Sequence, residues 1–148
     1  MELLFGRDAK MYRNTASYGT PTWVAMDNIG DVSDDLNHEQ VEVPLRSSGN
    51  INRFFYGNTS MSLTINTSNI KDDATLAAIW DAFRNKTTLD LLVLDRAKED
   101  AEARGFRCEF GVFGHPRDQA VKSVQSSALA LVPVISSNPV VFYPIPEE

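Results

Sequence analysis

Met61-Ser62-Leu63-Thr64-Ile65-Asn66 alternates apolar and polar side chains with a period of two, the pattern of a strand with one buried and one wet face. Just upstream, Ile51 to Tyr56 is rich in aromatic residues, and before it Ser47-Ser48-Gly49-Asn50 is a cluster of turn formers. Across that turn Val41, Val43 and Leu45 alternate again, within a stretch from Gly30 whose first half sets Val32 and Leu36 among polar residues with weaker patterning. The second half is the better-defined strand. Two arms around one turn predict a hairpin over about residues 31–67. Because an ordinary strand has about five or six residues, arms of this length are expected to protrude.

Outward from the hairpin, the chain keeps to β patterns except at one place. Lys10 to Asn14 and Thr22 to Ile29 read as two strands separated by a loop containing Gly19 and Pro21. Leu76, Ile79, Trp80 and Phe83 recur at helical spacing and predict a helix over about 73–86 with one apolar face, Asp72 or Asp73 as its N-cap, and Arg84 and Lys86 at its negative end. Thr88 to Asp95 is apolar on both faces and reads as a central strand. A charged insert, 95–104, then leads as a hairpin tip or short helix into Phe106 to Phe113, with Phe106, Cys108, Phe110 and Val112 on one face. Val121 to Val134 is the last long strand candidate, with Leu129 and Leu131 on one face. Pro133, Pro139, Pro144 and Pro146 limit the rest to a short edge strand, Val140 to Tyr143, within an extended arm over about 136–148.

The 148 residues suit a single domain that buries roughly two thirds of its unfolded surface. Hydrophobic and charged contents of 43% and 23% are those of a soluble globular chain. No run reaches a bilayer-spanning length, and the first residues lack the basic and apolar regions of a signal peptide, so neither export nor a membrane anchor is expected. A net charge of −6 argues against a phosphate-gripping surface, although an acidic wall lets a polyanion pass without sticking. Cys108 is the only cysteine and reads as a small core residue, which rules out an intrachain disulfide and a thiolate metal cluster.

Enzymatic signatures are missing. No HExxH, CxxC, GxSxG or GxxxxGK[ST] pattern occurs, and the two histidines, His38 and His115, read as surface residues. Asp31, Asp34 and Asp35 lack the glycine and closing glutamate of a calcium loop, and read as a solvated strand start or as carboxylates that set the potential of a channel. Asn58, Asn66 and Asn85 open glycosylation triplets that carry no weight here. Trp23, Phe54, Phe55 and Tyr56 suit a core or subunit interface, or alternatively a stacking platform for a small ligand or carbohydrate. No cofactor, metal or catalytic residue is expected.

Gly6-Arg7-Asp8-Ala9-Lys10-Met11-Tyr12-Arg13-Asn14, then Pro21-Thr22-Trp23 and Ile29-Gly30-Asp31-Val32, resembles the N-terminal pattern of phage and prophage tail tube (major tail) proteins. The helix, the Thr88 to Asp95 strand and the Phe106 to Phe113 strand follow in the order that family shows, so the resemblance extends to about residue 113. It implies a mainly β, antiparallel sandwich or barrel-like subunit with one flanking helix and a long protruding hairpin. It further implies stacked hexameric rings bridged by that hairpin and the termini, other tail proteins as partners, and DNA passing non-specifically through the lumen. The place of action would be a virion tail, reached from the bacterial cytoplasm; a tail-derived injection machine is the related alternative. Val41, Val43, Phe54, Phe55 and Tyr56 are the expected contact residues.

Overall fold

In the computed structural model, which describes residues 6, 9–44, 49, 51–119, 121–122 and 124–144, the order of elements is β1 (Lys10–Asn14), β2 (Trp23–Ala25), β3 (Ile29–Val43), β4 (Arg53–Ser68), α1 (Ala74–Asn85), β5 (Thr88–Leu94), β6 (Gly105–Gly114), β7 (Arg117–Asp118), β8 (Ser126–Pro133) and β9 (Val141–Tyr143). All strands join one antiparallel sheet in the order β2-β1-β5-β6-β8-β4-β3, with β7 on β8 and β9 on β6. The sheet curls into a half-barrel, so the expected barrel-like fold with one helix and a long hairpin is the one formed.

The alternating residues divide the sheet into two faces. On the inner face Met61, Leu63 and Ile65 of β4, Leu89 and Leu91 of β5, Phe106, Cys108, Phe110 and Val112 of β6, and Leu129 and Leu131 of β8 form the core with Ile79 and Ala82 of α1. Each fully buried side chain of the size of Leu63 or Ile65 contributes about 2 kcal/mol of transfer free energy. Burial pushes the Cys108 thiol up to about 11, which fits an inert core residue. On the outer face a smaller cluster of Tyr12, Leu92, Leu94 and Ala103 is covered by the turns of the 95–104 insert, whose Lys98 amide donates to the Tyr12 hydroxyl.

Two expectations change in detail, and a third holds against a weak local signal. The strand expected from Thr22 to Ile29 is interrupted: β2 ends at Ala25, and after a turn β3 begins at Ile29 and leaves for the far edge of the sheet. The weakly patterned first half of the first hairpin arm is strand throughout, because β4 supplies its ladder from Thr67 to Met61 irrespective of its own alternation. The last long strand is confined to Ser126–Pro133. Leu45, Ser47, Ser48 and Asn50 of the hairpin turn, and residues 145–148 of the C-terminal arm, lie outside the described residues; within that arm β9 pairs with Gly105 to Arg107 of β6.

The helix is capped as expected. Asp73 accepts from the amides of Thr75 and Leu76 at 2.9 and 3.1 Å, and Lys86 closes the other end in a left-handed conformation at φ 56°, its amide donating to the Ala82 carbonyl. The Asn28 side-chain amide, which also donates to Asp73, and the two backbone donors hold this carboxyl below its ordinary value of 3.8. Asp73→Ala is therefore expected to cost about 1 kcal/mol at neutral pH. Since the folded-state pKa is depressed, that contribution is present above about pH 4 and lost as pH falls through the lowered value. Urea unfolding at pH 7 and pH 3 checks this: the gap between parent and variant should be smaller at the lower pH.

Candidate assembly interface

β4 pairs with β8 only from Leu63 to Ser68, while it pairs with β3 out to Arg53. Among the described residues the outer part of the β3–β4 hairpin is therefore a two-stranded ribbon with no further strand paired to it. A bulge marks the start of its tip: His38 faces Thr59 but Gln40 faces Tyr56, so Gly57 and Asn58 share the place opposite Glu39. The backbones crowd there, since a Cβ on Gly57 would stand 2.9 Å from that of Glu39. Beyond the bulge, partners that share a face put Val41, Val43 and Phe55 on one side of the ribbon and Phe54 and Tyr56 on the other. Val43 is half-buried and the other four are exposed, Phe55 at 67% and Tyr56 at 87%. All five expected contact residues thus gather at one tip, split between two faces.

The opposite end of the hairpin carries a second apolar surface. Leaving β4, the chain passes Asn69 and Ile70 into α1, and a groove opens there between Thr67, Ile70, Leu76, Trp80, His115 and Arg117. The helix expectation is corrected here. Thr75, Ile79 and Ala82 form the line that faces the sheet, while Leu76, Trp80 and Phe83 form a neighbouring line on its shoulder, with Trp80 38% and Phe83 36% exposed. One apolar stripe in the sequence is two lines about 100° apart. His115 packs against both rings, at 5.1 Å from Trp80 and 5.8 Å from Phe83, and is half-buried where a surface residue was expected. The Arg117 guanidinium lies 5.2 Å from the Trp80 ring.

At the β2 edge the site of interest is polar and buried. Arg107 donates through Nε and Nη2 to the two carboxylate oxygens of Asp90, at 3.1 and 2.6 Å, and through Nη2 to the Tyr18 carbonyl at 2.9 Å. Its guanidinium is 3.7 Å from the Tyr18 ring and 4.9 Å from the Trp23 ring. Asn14 donates to Asp90 and accepts from the amides of Ala16 and Thr22. The hydrogen bonds from Arg107 to Asp90 raise the guanidinium's pKa further above its usual range. This cluster fastens the 15–22 loop, and with it β2, to the middle of the sheet. Sequence reasoning missed it; Asp90, the one charged residue of the otherwise apolar β5, was the available signal.

Over β3, β4 and β8 the outer face is uncovered and its side chains are short: Ser60, Ser62, Thr64 and Asn66, Ala128 and Ala130, and beside them Asp35. β3 and β8 contain no lysine or arginine, and β4 contains only Arg53, at the tip.

No catalytic constellation emerges among the described residues. No group of three or more His, Cys, Asp or Glu side chains converges to hold a metal ion, and no helix is long and apolar enough to cross a membrane. His38 is exposed, bonded to the Thr59 hydroxyl and edge-on to Tyr56. Trp23 stands against Arg107 at the β2 edge, so the four aromatics considered as a stacking platform are not brought together.

No protein-family model and no curated protein matches the sequence. Solved structures do resemble the fold. The tail of an empty gene transfer agent particle, refined with C6 symmetry, contains a chain that is 17% identical with a TM-score of 0.72, over 93% of this chain and 97% of that one. The SPP1 tail tube subunit is 14% identical with a TM-score of 0.69, over 95% of this chain and 78% of that one. A chain of the anti-feeding prophage baseplate, six-fold symmetrised, is 12% identical with a TM-score of 0.53, over 90% of this chain and 89% of that one. The fold defined here is the one seen in these tail assemblies.

Proposed function

We propose that this protein is a structural subunit of a phage or prophage tail tube and assembles through copies of itself into stacked hexameric rings. The observation that carries the reading is the hairpin tip. Apolar side chains exposed on both faces of a ribbon gain their burial only from partners on both sides. Among the described residues the sheet also ends in two open edges, β2 and β3, and a closed ring of identical subunits removes such edges by pairing them. The likeness of fold to chains from C6-symmetric and tube assemblies supports the same arrangement.

In this reading the protein acts in a virion tail with other tail proteins and does no chemistry. The short outer face of β3, β4 and β8, whose one lysine or arginine is Arg53 at the tip, suits a channel wall, since it offers a phosphate backbone little to hold, and Asp35 repels it. Negative-stain electron microscopy over a concentration series tests the proposal. Rings or tubes with a central hole are expected; a monomer at every concentration, with and without the other tail components, would overturn it.

A further inference from the structure

The geometry points to a specific receptor for the hairpin tip: the groove of Ile70, Trp80, His115 and Arg117 at the other end of a second copy of this chain. The inference rests on the tube reading and identifies the subunit-to-subunit contact within it.

Tip and groove are the two ends of one strand. β4 starts at Arg53 in the tip and ends at Ser68 beside the groove, so a run of 16 residues separates them by about 50 Å along the strand at roughly 3.3 Å per residue. A subunit with a projecting apolar element at one end and a receiving one at the other joins head to tail, a heterologous contact that propagates as a stack. The tip's own groove is out of its reach, whereas the groove of a copy displaced along the hairpin axis lies in its path.

The chemistry of the two ends is complementary. Phe54 and Tyr56 offer aromatic edges and faces to Trp80 and His115, whose T-shaped packing at 5.1 Å leaves the Trp80 ring partly open. On the tip face that carries Phe54 and Tyr56 the acidic residue is Glu42, paired with Phe54, while the groove has Arg117 over Trp80 and Lys71 next to Ile70. Acid thus meets base around an aromatic centre, the arrangement that fixes orientation in an interface.

The test joins Tyr56→Cys to Ile70→Cys in the full chain, where native Cys108 is buried and does not compete. Oxidised assemblies of the double variant should run as a covalent ladder on a non-reducing gel, and neither single variant should. In parallel, Tyr56→Ala and Trp80→Ala should each raise the concentration for half-assembly about tenfold or more, as truncation of an aromatic anchor does. Combined, they should cost less than the two effects multiplied together. Tyr56 is almost fully exposed, so its variant cannot act through misfolding. Tubes that form without a ladder, and at the parent concentration when Trp80 is alanine, would overturn this pairing and leave the tube reading standing. Failure of the parent chain to assemble under any condition would overturn both.

Discussion

A chain in which Gln40–Gly57 is replaced by an Asn-Gly turn should unfold at the parent's midpoint and fail to assemble. The deleted segment starts at the bulge, taking its Gly57, and runs outward, and its apolar residues Val41, Phe54, Phe55 and Tyr56 are exposed in the subunit. What is left retains the pairs from His38 and Thr59 inward, including the Leu36–Met61 and Val32–Ile65 positions over the core. Removing exposed residues away from caps and buried networks changes stability by within about 0.5 kcal/mol, while the two-residue turn is a favoured hairpin closure. Thermal unfolding and sedimentation velocity read the two halves of the prediction separately. Tubes formed by the shortened chain would refute the role of the tip, and a collapse in stability would refute the division between stem and tip.

The second large effect is expected at Arg107. Truncating it to Met should cost about 3–5 kcal/mol, the usual result of leaving a buried partner charge uncompensated. Asp90 would then keep its Asn14 donor but lose both guanidinium bonds, and the Tyr18 and Trp23 rings would lose the cation between them. Replacing both members together, with Arg107→Met and Asp90→Leu, should recover much of the loss, because an apolar pair needs no partner there. Urea unfolding measures both, and hydrogen exchange in residues 15–22 should rise in the single variant as the loop is released. A single-variant cost below about 1 kcal/mol would contradict the view of a tightly coupled buried pair.

The core was legible where alternation and burial coincide. Phe106, Cys108, Phe110 and Val112 could be assigned to one face from spacing alone, because a strand allows no other grouping, and all are buried. Capping by Asp73 was legible for the same local reason, within the choice of Asp72 or Asp73. The place of Phe54, Phe55 and Tyr56 near the hairpin tip was legible because they follow directly on a cluster of turn formers. Non-local features were not legible. Nothing near Leu36 shows that β4 will hold the weak arm of β3 in register, and nothing near Arg107 shows that Tyr18 will come to rest on it across 89 positions of sequence. The apolar stripe of α1 misled for a different reason: four apolar residues do not say which line meets the sheet, and the small pair Thr75 and Ala82 decided it by allowing close approach.

The bulge at Glu39 also separates two kinds of inheritance in one hairpin. On the core side, substitutions at Met61, Leu63 or Ile65 are judged by the fold of the subunit itself. Past Gly57 the ribbon answers only to what it meets, and the extra residue absorbs any change of register before it reaches the stem. The tip can therefore change by ordinary mutation without an intermediate that fails to fold, and under the proposed docking this lets partner choice vary while the core of the subunit is kept.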